Sequence, residues 1–270
     1  MKNIFIEGLQ GAGKSTLLNN LHKHMPQYKV YYEGDISPVE LAWCSYMTEE
    51  QYNNTCNRYP GLCNELKEHT VNEGDRKIID YTHILTDKEG FHKYMEKYEI
   101  YNGNIPYKDF RNIILKRYKN FKGNGNIFEC SFLQNTVECL MLFYQMPEDE
   151  IVKFYKEVFS ILKNKDFIMF YIDVTNIRET ILNIKKERTD QHGNEVWFPV
   201  MMQYLENSPY VKNNANSKGN IMADSGIDML VCHLERRRRI ERRIINEITG
   251  NSTIIIPSKN YKIEDIISFL

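Results

Sequence analysis

Apolar, β-branched and aromatic residues gather into five short runs along the chain, 3–7, 28–33, 126–130, 167–173 and 253–256. Each has the length and composition of a buried strand. Helical patterns separate most of them. Ser15 to His22 places apolar residues at 17, 18 and 21, and 176–188 reads as another helix. Residues 134–164 are helical with a break around Met146-Pro147-Glu148-Asp149. Strands divided by helices predict an α/β fold with a parallel sheet covered on both faces. The gap from about 36 to 122 is too long for plain loop. It holds helix-like stretches near 47–56, 88–98 and 106–119, and an apolar run Lys77-Ile78-Ile79-Asp80-Tyr81 that suits a short strand. We read it as a mainly helical insertion near the C-terminal edge of the sheet, in a single domain spanning 1–270. Residues 212–226, rich in Asn, Gly and Ser, read as a mobile loop.

The first run leads into the chain's most informative stretch, Gly8-Leu9-Gln10-Gly11-Ala12-Gly13-Lys14-Ser15. It fits G-x-x-x-x-G-K-[ST], a loop whose backbone N–H groups cradle phosphates. Strand, loop and helix follow in the required order, so the helix N-terminus aims its positive end at the anion. Gly8, Gly11, Ala12, Gly13, Lys14, Ser15 and Thr16 are the expected nucleotide contacts. Lys14 would reach the β- and γ-phosphates, and the Ser15 hydroxyl would ligate Mg²⁺. ATP and Mg²⁺ are therefore the expected cofactors.

Composition narrows the partners. With 270 residues and 42% hydrophobic positions the chain can bury a large core, and its net charge is −1. No global field recruits nucleic acid or an anionic membrane, and no apolar run is long enough to cross a bilayer. Six scattered cysteines form no C-x-x-C pair, which with no targeting leader suggests a reducing cytoplasm. The run Glu235-Arg236-Arg237-Arg238-Arg239-Ile240-Glu241-Arg242-Arg243 lacks aromatic interleaving. It reads as a charged amphipathic helix in which Glu235 and Arg239 can pair.

Open α/β sheets bind ligands beyond the C-terminal ends of their strands. The second run ends in Glu33-Gly34-Asp35, the third in Glu129-Cys130-Ser131 and the fourth in Asp173. Phosphoryl transfer to a hydroxyl needs a carboxylate for the acceptor's proton, a metal across the phosphates and cations around the moving group. Glu33 and Glu129 suit the first two tasks, although acids at strand ends also serve turns. Lys185-Lys186-Glu187-Arg188 ends a helix and could close over the phosphates, or could be a solvated helix end. Trp43 and Trp197 suit packing or substrate stacking.

Glu129-Cys130-Ser131 resembles the Glu-Arg-Ser of deoxynucleoside kinases, with cysteine in place of arginine. The stretch Ile172-Asp173-Val174 through Arg188, followed by Tyr204-Leu205-Glu206, resembles the strand, helix and lid of deoxynucleoside and thymidylate kinases. This resemblance to P-loop nucleoside and nucleotide kinases implies a three-layer sandwich with a five-stranded parallel sheet of order 2-3-1-4-5. It further implies Glu129 at the metal, Glu33 as general base, and Lys185 and Arg188 at the nucleotide, with Lys14 and Arg188 supporting catalysis. Cys130 removes a cation that the family uses. The set Glu33 to Pro38, Tyr98-Glu99-Ile100-Tyr101 and Phe132 to Asn135 resembles a group of bacterial P-loop kinase-like proteins, which brings no substrate with it.

Two functions follow. One is an ATP-dependent phosphotransferase acting on a small-molecule acceptor: a nucleoside, a nucleotide or a hydroxylated natural product. The other is an NTP-dependent regulatory ATPase or switch whose insertion binds a protein partner. Whether a homodimer forms stays open.

Overall fold

The structure is a computed structural model that describes residues 1–162, 166–215 and 226–270. In chain order its strands are β1 (Asn3–Gly8), β2 (Lys29–Tyr31), β3 (Ser45–Thr48), β4 (Thr70–Glu73), β5 (Arg76–Ile79), β6 (Asn126–Glu129), β7 (Phe167–Asp173) and β8 (Thr253–Pro257). The early helices are α1 (Lys14–His24), α2 (Glu49–Arg58), α3 (Cys63–Glu68), α4 (Phe91–Glu96) and α5 (Tyr107–Asn120). After β6 come α6 (Gln134–Leu142), α7 (Glu148–Leu162), α8 (Ile177–Glu187), α9 (Trp197–Asn207), α10 (Pro209–Ala215), α11 (Gly226–Ile244) and α12 (Ile263–Ile267). Of the stretch expected to be a mobile loop, 212–215 complete α10, and 216–225 lie outside the described residues.

Five strands form one sheet in the order β2-β6-β1-β7-β8. This differs in label from the expected 2-3-1-4-5 because three strands of the insertion fall between β2 and β6 in the chain. β1 pairs in parallel with β6 on one side (Phe5 opposite Phe128) and with β7 on the other (Phe5 opposite Met169). β8 adds in parallel to β7. Every residue of β1 and β6 is buried, so neither strand shows a polar face, as a sheet covered on both sides requires. Phe5 is the hub of this core. Its ring stacks on Phe128 at 5.0 Å between centroids and meets Phe132 and the edge of Phe167 at 5.7 Å each.

The chain divides into two compact units, one formed by Met1–Val30 with Gly123–Leu270 and the other by Tyr31–Lys122. The second covers the expected helical insertion and holds more than helices. β3, β5 and β4 form an antiparallel sheet, with β5 in the middle and its partners on either side. Helix α2 starts on a capping box in which Thr48 and Gln51 satisfy each other's backbone N–H groups. Met47, Leu66, Ile79, Tyr81, Phe91 and Met95 make this unit's own buried core.

Truncating Phe5 should therefore remove contacts on three sides that the sheet cannot refill. Phe5→Ala is expected to destabilise the first unit by about 3–5 kcal/mol in urea unfolding. A loss below about 1 kcal/mol would show that the aromatic stack does not hold the sheet.

Candidate phosphate-binding site

Glycine is required at three points of the loop between β1 and α1, for three separate reasons. Gly8, Gly11 and Gly13 have φ of +142°, +75° and +102°, a region that side chains disfavour. A Cβ on Gly8 would lie 2.5 Å from the Ile172 carbonyl oxygen of β7, and one on Gly11 would lie 2.4 Å from Cδ1 of Ile184 on α8. At Gly13 nothing stands within 4 Å of where a Cβ would go. Gly13 caps α1 without a side-chain hydrogen bond, and no acid occupies the first turn. Open space at a helix start without a side-chain cap suits a phosphate group.

Lys14 is buried and folds back on the loop, its ammonium donating to the carbonyls of Gly8 (3.1 Å) and Leu9 (2.9 Å). The Ser15 hydroxyl donates to Glu129 Oε1 at 2.5 Å. Parallel pairing of β6 with β1 makes that meeting possible, because it sets Glu129 opposite Ile6 at the mouth of the loop. A hydroxyl and a carboxylate side by side are oxygen ligands of the kind Mg²⁺ takes, so the pair fits the expected metal site. Cys130 follows β6 in a left-handed conformation (φ +58°) and is buried.

Behind the loop lies a set of buried charges that the motif did not announce. Glu7, in β1, accepts from the backbone N–H groups of Phe132 (2.6 Å) and Gln134 (3.0 Å). Burial pushes its carboxyl up to about 7, against the pull of those two N–H groups. Arg237 of α11 donates to Glu138 Oε2 of α6 at 2.8 Å and to the Gln10 side-chain oxygen of the loop at 2.7 Å. Its Nε stands 3.1 Å from Glu241 Oε1. Burial alone would raise Glu138, but His233 and Arg237 outweigh it and hold the carboxyl down at about 2. Arg237 and Glu241 fall on a stripe with Leu230, Leu234, Ile240 and Ile244, all buried. That helical spacing was the available signal, and the run of arginines obscured it.

Arg236 lies over the Tyr210 ring, 4.4 Å from its centroid, and the remaining arginines of the run pair with acids. Arg238 grips both oxygens of Asp173 (2.7 and 2.8 Å), and Arg242 reaches the same carboxylate. Arg239 pairs with Glu148 at 2.5 Å, where the sequence had suggested Glu235 as its partner. Arg243 pairs with Asp149 and Glu247.

Helix α8 carries the expected lid residues. Lys185 points to Glu195 (3.3 Å) and sits 4.0 Å over the Phe198 ring, while Arg188 is exposed at the helix end. Thr180 and Ile184 of the same helix pack against Gly11, so α8 rests on the loop. Glu33 and Asp35 belong to the second unit. Glu33 accepts from Trp43 Nε1 at 3.2 Å, and Asp35 accepts from the Tyr32 N–H at 2.7 Å. In the same unit burial pushes Glu40 up to about 8 and Glu99 up to about 7, the latter bonded to Tyr81 and Asn102. Among the described residues no cluster of metal-ligating side chains of three or more occurs, and no helix is long and apolar enough to cross a membrane.

No family model and no curated protein matches the chain. Among solved structures it is similar to that of deoxyadenosine kinase from M. mycoides with bound dATP. The identity is 15% and the TM-score 0.38, over 99% of this chain and 98% of that one.

The buried acids set a pH dependence. Glu7, Glu40 and Glu99 keep protons in the native state that an unfolded glutamate, at 4.5, has released. Stability is therefore lost as pH rises from about 4.5 towards 8. Glu138 works in the opposite sense, and its contribution fades as pH falls from 4.5 towards 2. Tm should peak at about pH 4 and decline towards about pH 8, and Glu40→Gln should flatten that decline. A Tm that climbs between those values would refute the neutral buried acids.

Proposed function

We propose that the chain is an ATP-dependent phosphotransferase acting on a small-molecule acceptor, whether nucleoside, nucleotide or hydroxylated natural product. The observation that supports it best is the Ser15–Glu129 contact at 2.5 Å, set beside a buried lysine in an open, uncapped phosphate loop. Mg²⁺ held by Ser15 and Glu129 would neutralise charge on the phosphate oxygens. The backbone N–H groups at the start of α1 would hold the phosphates in the open space beside Gly13. Lys14 has three N–H donors, of which two reach the Gly8 and Leu9 carbonyls, so a third would remain for a phosphate oxygen.

Glu33 would take the acceptor's proton, since it follows the C-terminal end of β2, where ligands of open α/β sheets bind. Its hydrogen bond from Trp43 would hold the carboxylate in one orientation. Lys185 and Arg188 would bring positive charge from α8, the helix already seated on Gly11. Transfer rather than plain hydrolysis separates this reading from a regulatory ATPase.

Incubating nucleosides, nucleotides and hydroxylated natural products with ATP and Mg²⁺ should yield one acceptor class that gains a phosphoryl mass. Lys14→Ala should cost on the order of 10²-fold or more in rate. Glu33→Gln should lower transfer by roughly 10²–10⁴-fold with ATP affinity nearly unchanged. ATP hydrolysis with no acceptor phosphorylated would support the switch instead. Wild-type transfer by Glu33→Gln would remove Glu33 as the base.

A further inference from the structure

The Arg237 guanidinium brings together three chain segments that are far apart in sequence: Gln10 of the loop, Glu138 of α6 and Glu241 of its own helix. Glu241 in turn accepts from the Tyr171 hydroxyl of β7 at 2.8 Å, and His233 Nε2 lies 2.9 Å from Glu138 Oε1. The Arg237 and Glu241 side chains are 0% exposed. As a means of stability this arrangement is poor, because a buried ion network gains little over apolar packing of the same volume. What the planar guanidinium supplies is direction, since its rigid fork sets several partners at once.

Gln10 is the partner that matters. It lies between Leu9, whose carbonyl receives the Lys14 ammonium, and Gly11, which packs on α8. Holding the Gln10 side chain therefore restrains the peptide that carries the Leu9 carbonyl, and with it Lys14. We propose that Arg237 is a positioning residue for the phosphate loop, holding it through Gln10 in its anion-receiving shape before nucleotide arrives. This rests on the loop being a nucleotide site. Arg237 is wholly buried, so it would act on the nucleotide through Gln10 and not by touching a phosphate.

Nucleotide affinity and thermal stability separate the possibilities. Isothermal titration with ATP and Mg²⁺ is compared with Tm for the wild type, Gln10→Ala, Gln10→Glu, Arg237→Lys and the double variant Gln10→Ala/Arg237→Lys. Gln10 is half-buried, so Gln10→Ala should fold, with Tm lower by a few degrees for the Arg237 donor it leaves unpaired. Its ATP affinity should fall about 10-fold, the worth of one charge-assisted hydrogen bond. Gln10→Glu, which keeps an acceptor for Arg237 but adds a negative charge beside the phosphates, should bind ATP more tightly than Gln10→Ala. Arg237→Lys should weaken binding, and the double variant should bind no worse than the weaker single one. Wild-type affinity in Gln10→Ala, or additive losses in the double variant, would overturn the proposal. An Arg237→Lys protein that loses Tm but not affinity would do the same, making the network purely structural. A wild type that binds no ATP would instead bring down the nucleotide site itself, and the inference with it.

Discussion

Buried charge behind the phosphate loop is the constraint around which the first unit is organised. Lys14 and Arg237 are nearly or wholly withdrawn from solvent, and a cation in that position is tolerated only among oxygens that answer it. For Lys14 the answers are local, the carbonyls of its own loop, whereas Arg237 has Glu241 one turn on and draws Glu138 and Gln10 from far along the chain. Because those partners sit on α6, α11 and the loop, neutralising the charges also fixes where these elements lie. Glu7 completes the set as an acid that burial keeps close to neutral, so the floor of the loop is less negative than its formula suggests.

The arginine run of α11 shows how one helix meets two kinds of demand. Arg237 faces inward to the loop, whereas Arg238 and Arg242 hold Asp173 at the end of β7, the strand that flanks β1. Arg239 and Arg243 reach acids at the start of α7. Five acidic side chains from outside α11, Glu138, Glu148, Asp149, Asp173 and Glu247, thus absorb most of a basic stretch that looks like a polyanion-binding surface in linear sequence.

Much of this architecture was legible before the structure. The three central strands announced themselves because burial on both faces leaves continuous apolar runs, as in Phe167–Asp173, whereas the half-exposed edge strands β2 and β8 showed through their β-branched and aromatic residues. The phosphate loop was legible because its glycines answer to backbone geometry, and Glu129 because it closes the strand beside that loop. β3 and β4 were not, being four-residue strands with half-exposed positions and no apolar run, such as Thr70–Glu73. Arg237 and Gln10 escaped for different reasons. Gln10 occupies a position that the motif leaves free, and Arg237 is a charged residue on the buried stripe, where apolar patterning has nothing to register. Pairings such as Arg239 with Glu148 join residues that local spacing cannot connect.

Gly11 is conventionally understood as making room for an anion, yet here the space its side chain would fill belongs to Ile184 and Thr180 of α8. The glycine is thereby claimed by a neighbouring helix as much as by any ligand. Its history should then be tied to theirs: a lineage could enlarge position 11 only after shortening position 184. Without that prior change, a side chain there would press on Ile184 and Thr180 and wedge α8 off the loop.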